Sequence, residues 1–302
     1  MSASPPQPFS ARSWLFAPGD SVRKMTKAAE AQGHDRADIV LLDLEDSVMP
    51  DAKPAARQAV RQFLEEQTER ERLWVRVNPL SGGDTSTDLE AVMPARPGGI
   101  FLPKAEGCGD ISALDAMLTE LETRDGIEVG TTRIAALVTE TAKAMFHCGD
   151  YAGDYPGANR LVAMSWGAED LSAVLGARVQ FAPDGQYMPT FELARSLCLL
   201  GAVAADVLPI ETIQADFRDL DGLRARAEMV RSQGYRGMLA IHPAQVPVIN
   251  AAFTSSEREL AEARAIVAAF AANPGAGTVG VNGTMLDRPH LARATALLDS
   301  VA

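Results

Sequence analysis

The sequence predicts an α/β chain built as a (β/α)8 TIM-type barrel with a C-terminal helical arm. Three observations carry this expectation: eight short apolar runs recur between residues 14 and 242, helical stretches separate them, and no GxGxxG loop follows any run. The runs are nearly continuous rather than alternating, as in parallel strands covered on both faces. A doubly wound open sheet also alternates strands with helices and is the competing architecture.

In order, the expected strands are 14–18 (WLFAP), 39–44 (IVLLDL), 73–78 (LWVRVN), 99–103 (GIFLP), 134–139 (IAALVT), 161–166 (LVAMSW), 205–210 (ADVLPI) and 238–242 (MLAIH). Stretches 21–31, 52–66, 111–122, 189–202 and 220–232 place apolar residues near helical spacing. Beyond the eighth strand come an Ala-rich closing helix at 256–272, a glycine-dense, hinge-like segment at 273–283, and an amphipathic helix at 289–301. The expected division is a flexible, Pro- and Ser-rich terminus at 1–11, a barrel at 12–255, and an arm or lid at 256–302.

Composition narrows the function. The chain has 302 residues, 47% of them hydrophobic and 23% charged, which suits a globular protein able to bury a core without disulfides. With 28 basic against 40 acidic residues the formal charge is -12, a surface that repels nucleic-acid phosphates. Cys108, Cys148 and Cys198 are scattered and form no CxxC pair, which points to reduced thiols in a cytoplasmic compartment. No signal-peptide pattern or membrane-spanning run is present, so neither a membrane nor nucleic acid is expected as a partner.

Catalytic groups of such barrels sit at the carboxyl ends of the strands, and here those ends are polar. Strand two ends in Asp43-Leu44-Glu45-Asp46, strand three contains Arg76, and strand four ends in Pro103-Lys104. Strand five ends in Thr139-Glu140-Thr141, strand six in Gly167-Ala168-Glu169-Asp170, and strand eight in His242-Pro243. Glu140 and Asp170 come from adjacent strands at matching heights. Two carboxylates without His or Cys suit a hard ion such as Mg²⁺; the alternative is that either acid caps a following helix. Glu45 and Asp46 read equally well as outer acceptors or as structural groups. Arg76 lies in an apolar strand, where its charge needs a partner. It would grip a ligand carboxylate through two hydrogen bonds, or form a buried pair with Asp43 or Glu45. Arg12, just before strand one, is exposed by default but is also a candidate to reach the mouth. A lone His242 reads as structural more readily than as catalytic.

Motifs along the chain then add a resemblance. Arg12-Ser-Trp-Leu-Phe-Ala-Pro-Gly-Asp20, Asp43-Leu-Glu-Asp-Ser-Val48 with Lys53 and Arg57, and Val75-Arg-Val-Asn-Pro79 occur in order. Pro103-Lys104, Thr139-Glu-Thr141, Gly167-Ala-Glu-Asp-Leu171, Ile241-His-Pro-Ala-Gln245 and Gly283-Thr-Met-Leu-Asp-Arg-Pro289 follow. Together they resemble the citrate lyase β-subunit-like (CitE-like) family of the HpcH/HpaI aldolase group, which includes malyl-CoA and citramalyl-CoA lyases. The resemblance runs from residue 12 to about residue 300.

The resemblance implies a (β/α)8 barrel with an arm, assembled as a homotrimer or hexamer. It implies Mg²⁺ held by Glu140 and Asp170 together with a 2-oxo acid whose carboxylate Arg76 grips. Backbone N–H groups around Ala168, Glu169 and Asp170 would orient that acid, with Arg12 a further candidate contact. Asp287, in the arm, would be the acid/base of a neighbouring subunit's site. The implied reaction is reversible Claisen-type cleavage of a malyl-CoA- or citramalyl-CoA-type thioester to an acyl-CoA and a 2-oxo acid. A thioesterase on the same substrates, or the β subunit of a citrate lyase complex acting on a citryl-carrier thioester, are the alternatives. One departure stands out: the family's Gly-Lys before the last strand reads Gly237-Met238 here, which puts thioester recognition in question if that lysine contacts the mouth.

Overall fold

The computed structural model describes residues 9–299. Residues 1–8 of the terminus expected to be flexible, and residues 300–302 at the end of the last expected helix, lie outside the described residues. Eight parallel strands close into a barrel in sequential order, β1 to β8. They are β1 (Ser13–Pro18), β2 (Ile39–Asp43), β3 (Leu73–Arg76), β4 (Gly99–Leu102), β5 (Arg133–Leu137), β6 (Leu161–Ser165), β7 (Leu208–Glu211) and β8 (Gly237–Ala240). Closure comes from β1 pairing with β8, Ser13 opposite Met238. The open-sheet alternative is thereby excluded.

Helices α1 (Val22–Glu30), α2 (Lys53–Glu66), α3 (Thr85–Val92) and α4 (Cys108–Asp125) follow the first four strands in turn. After β5 there is no α-helix. Residues 138–160 run as turns and two short 3₁₀ segments, Ala144–Phe146 and Ala158–Arg160. The stretch Gly149-Asp-Tyr-Ala-Gly-Asp-Tyr-Pro-Gly157 explains this, because closely spaced Gly and Pro break helical propagation. After β6 come two helices, α5 (Ala168–Leu175) and α6 (Pro189–Ala204); α7 (Leu220–Gln233) follows β7 and α8 (Val246–Phe253) closes the barrel.

Two apolar layers hold the barrel. The inner one stacks Trp14, Leu41, Trp74, Phe101, Leu137, Ile210 and Leu239 with the small Ala135 and Ala163. Large side chains on one side and alanines on the other fill the taper without a pore. Trp14 and Trp74 meet edge-on with centroids 5.2 Å apart. The outer layer seats the helices on the strands and includes Val40, Val75, Ile100, Met164 and Met238.

The described residues divide into two compact units, one ending at Phe253 and the other beginning at Thr254. In the second, α9 (Glu257–Ala272) opens with a capping box between Ser256 and Glu259. The segment expected to be hinge-like is instead half of a hairpin: β9 (Thr278–Val281) pairs antiparallel with β10 (Thr284–Asp287). Its turn residues, Asn282 and Gly283, have φ of 48° and 78°. That is the Asn-Gly turn whose twist suits two-residue hairpins. Helix α10 (Arg288–Asp299) follows, and Phe270, Val279 and Leu286 form this unit's own small core.

Candidate active site

Strand register brings the polar ends together. Pro18 pairs with Asp43, Asp43 with Arg76, and Arg76 with Phe101, so these residues share one level at the carboxyl end of the barrel. Arg76 donates from Nε to Asp43 Oδ1 and from Nη2 to Asp43 Oδ2, both at 2.7 Å. Its Nη1 stands 2.9 Å from Glu45 Oε2, and the guanidinium lies over the Phe16 ring at 4.6 Å. The buried-pair reading of Arg76 is therefore realised. Burial works against its charge, but Asp43 and then Glu45 outweigh that and raise its pKa above the ordinary value. A guanidinium has five N–H groups; one on each terminal nitrogen remains for a ligand. Burial also lifts the Glu45 carboxyl above its usual range, against the pull of Arg76 and Lys104.

Glu140 is a buried carboxylate of the mouth, 3% exposed. Its Oε2 accepts the Lys104 backbone N–H at 2.6 Å. Burial pushes its pKa well up, and the nearby charges of Asp170 and Glu45 push it further. Gly167 makes this packing possible: a Cβ there would come within 2.5 Å of Glu140 Cγ. Gly167 is also the N-cap of α5 and has no side chain to cap it, and Asp170 in the first turn pairs with the Lys104 ammonium at 3.1 Å. The first amides of α5, from Ala168 onward, have no partners within the helix and form a positive end suited to an anion. Lys104 ties the cluster together, its ammonium 2.6 Å from Glu45 Oε1 and 3.1 Å from Asp170 Oδ1.

These residues fit a divalent cation. The charge of Asp170 acts on Glu140, both are hard oxygen donors, and a cationic group already faces Asp170. The missing Cβ at Gly167 leaves Glu140 the space it occupies. Among the described residues no group of three or more His, Cys, Asp or Glu side chains could hold a metal, but Mg²⁺ is commonly held by one or two carboxylates with water and ligand oxygens. Ser165, two residues before Gly167, is buried with no partner for its hydroxyl among the described residues. The end of β6 thus has hydrogen-bonding capacity left for a ligand.

Other candidates fall elsewhere. Arg12 does not reach the mouth. It precedes β1, at the amino end of the barrel, and its Nε and backbone N–H both bind Asp38 Oδ2, at 2.9 and 2.7 Å. Glu169 is exposed and its side chain accepts from Gln180 at 2.8 Å, so only its backbone faces the site's chemistry. His242 is structural: Nδ1 accepts the Ala244 N–H in a capping box with Gln245, and its ring stacks on Phe217 at 4.6 Å. Met238 lies at the start of β8, fully buried in the outer apolar layer. The lost lysine therefore falls at a strand start under the helices, not at the mouth. Asp287 ends β10 with its side chain 52% exposed and paired to His290 Nδ1. The His290 hydrogen bond holds its carboxyl below the usual range.

Sequence reasoning assigned no role to Lys104, although it stands directly after a strand-ending proline beside three acids. It also passed over Glu211, which ends β7 fully buried between the Trp166 indole N–H, at 2.9 Å, and Arg226, at 2.6 Å.

The geometry can be set beside known proteins. A citrate lyase subunit beta-like protein of Mycobacterium tuberculosis is 36% identical over 285 residues, covering 94% of this chain and 93% of that one. A (3S)-malyl-CoA thioesterase of Cereibacter sphaeroides is 34% identical over 287 residues, covering 94% and 92%. The crystal structure of protein CitE from Mycobacterium tuberculosis with magnesium, acetoacetate and coenzyme A superposes with a TM-score of 0.77 at 34% identity, covering 96% of this chain and 97% of that one. The model of the HpcH/HpaI aldolase/citrate lyase family matches residues 12–243, the span that holds all eight barrel strands and the mouth carboxylates described above. An eight-stranded barrel with this acidic mouth, and relatives this similar over nearly its whole length, make the chain a member of the HpcH/HpaI aldolase/citrate lyase family.

Proposed function

We propose that the chain is a Mg²⁺-dependent carbon–carbon lyase that cleaves a malyl-CoA- or citramalyl-CoA-type thioester to an acyl-CoA and a 2-oxo acid. The observation that carries this is the meeting of Glu140 and Asp170 at one cation, the Lys104 residue that bonds both. The CitE relative's complex with magnesium, acetoacetate and coenzyme A supports the same ligand classes here.

Glu140 and Asp170 would hold the ion. When bound, Mg²⁺ supplies Lewis-acid stabilisation of the negative charge that develops on the substrate oxygen. The N–H groups left on Arg76, and the first amides of α5, would receive the oxo acid's carboxylate and fix the face of its carbonyl. Asp287 would act as the acid/base. In the condensing direction it takes a proton from the carbon next to the thioester, and the resulting enolate adds to the oxo carbon, whose oxygen then takes a proton from water. In cleavage the steps reverse and Asp287 returns the proton to carbon. Asp287 sits exposed in its own unit with a depressed pKa, so the role requires burial against a mouth, where desolvation raises a carboxylate's basicity. A homotrimer or hexamer in which the arm serves a neighbouring subunit meets that need. The three free cysteines suit a reducing, cytoplasm-like compartment.

A thioesterase is the second reading, favoured by the Cereibacter sphaeroides relative. Incubating the protein with malyl-CoA and Mg²⁺ separates the two. Glyoxylate with acetyl-CoA and no free thiol is the expected result. Malate with free CoA would assign hydrolysis, and no conversion of malyl- or citramalyl-CoA would refute both. Asp287→Ala should lower turnover by about 10²–10⁴-fold while calorimetric binding of the oxo acid with Mg²⁺ is kept. Turnover equal to the parent protein would leave the arm a structural role only.

A further inference from the structure

Lys104 contacts both proposed metal carboxylates through different atoms. Its backbone N–H donates to Glu140 Oε2 at 2.6 Å, while its ammonium stands 3.1 Å from Asp170 Oδ1 and 2.6 Å from Glu45 Oε1. To do so it adopts φ of +52°, in the left-handed region that a lysine occupies only where its surroundings impose it. The long side chain is 25% exposed and has another acid nearby, Asp46 at 3.9 Å. The ammonium thus has room to move and a place to go. It is the cation that balances this part of the mouth, where Arg76 is already taken up by Asp43 and Glu45.

We propose that the Lys104 ammonium is an internal stand-in for the divalent cation. In the metal-free protein it neutralises Asp170 and Glu45. Metal binding shifts it off Asp170 towards Glu45 and Asp46, while its backbone N–H goes on orienting Glu140. Lys104 is then a positioning residue that sets metal affinity by competition. The inference rests on Glu140 and Asp170 being the metal carboxylates. A purely structural lysine makes the opposite prediction, because its removal would loosen Glu45 and the mouth and weaken metal binding.

The test is direct Mn²⁺ binding, read by electron paramagnetic resonance of the free ion, on the full chain without substrate. Lys104→Met keeps the apolar stem and removes the charge. It should bind Mn²⁺ at least about tenfold more tightly than the parent, since one repelling positive charge has gone from a partly buried site. Lys104→Arg, which keeps the charge, should stay within about threefold of the parent. Lys104→Gln provides the same comparison if the methionine variant does not fold. Unchanged or weaker binding in the neutral variants overturns the stand-in role. Mn²⁺ binding that Glu140→Gln leaves intact removes the metal site itself, and this inference with it. Binding that Glu140→Gln abolishes but the neutral Lys104 variants do not strengthen removes the stand-in role alone.

Discussion

Glu140→Gln is expected to lower Mg²⁺-dependent turnover by at least about a thousandfold while the barrel folds normally. The substitution keeps the shape that fills the space beside Gly167 and an oxygen able to accept the Lys104 N–H, but removes one of two carboxylates proposed for the ion. Folding should not suffer, because burial and the charges of Asp170 and Glu45 disfavour an ionised carboxylate here and the amide carries no charge. That gives a signed pH dependence. The folded-state pKa of Glu140 lies well above its ordinary 4.5, so between those values the folded chain holds a proton that the unfolded chain has lost. The stability contributed by the protonated group is complete below about pH 4.5 and is lost as pH rises through the folded-state value. Thermal melting of the metal-free protein should show this decline, and Glu140→Gln should flatten it. A variant that keeps parental turnover would end the metal assignment.

Arg160→Ala is the substitution expected to cost the most stability, about 3–5 kcal/mol, because it strands the buried Glu122. The Arg160 and Glu122 side chains are 1% and 0% exposed. Arg160 binds Glu122 from Nη1 and Nη2 at 2.8 and 2.7 Å, the Thr132 carbonyl at 3.1 Å, and Asp115 as well. Burial raises the Glu122 pKa, but the Arg160 hydrogen bond and those from Thr132 and Gly130 outweigh it and bring the value down to about 2. Stability from this depressed group is present above the ordinary 4.5 and is lost as pH falls towards 2. Urea unfolding across that range should show the loss in the parent and a much smaller one in the variant. Arg160 immediately precedes β6, at the end opposite the mouth, so turnover per folded molecule should be unchanged. A small stability change would show that the stranded acid finds other partners.

The fold was readable because parallel barrel strands carry their signal locally, in short apolar runs such as Ile39-Val-Leu-Leu-Asp43 between helix-length segments. The metal candidates were legible for a related reason: they follow such runs at the carboxyl ends of the strands, although the exposed Asp46 and Glu169 show that this position alone does not turn an acid inward. Partnering between distant residues was not. Nothing near Arg76 in sequence says whether its guanidinium meets a ligand or Asp43, 33 residues away. Arg12 looked equivocal because which end of the barrel it occupies depends on strand direction, and a residue before a strand stands at the wrong rim. No helical stretch was legible between residues 139 and 161, and none forms after β5, where Gly149, Gly153, Pro156 and Gly157 interrupt the chain. The Lys104 conformation was hidden because positive φ belongs to glycine in any sequence-based reading.

The three tryptophans are all fully buried, and they report on different parts of the molecule. Trp14 and Trp74 are close enough to couple their electronic transitions, so near-ultraviolet circular dichroism carries a signature of barrel closure at its amino end. Trp166 adjoins Gly167 and donates its indole N–H to Glu211, so its emission is tuned by the mouth. A ligand at the mouth should therefore alter the Trp166 share of the intrinsic fluorescence and leave the Trp14–Trp74 pair as it is.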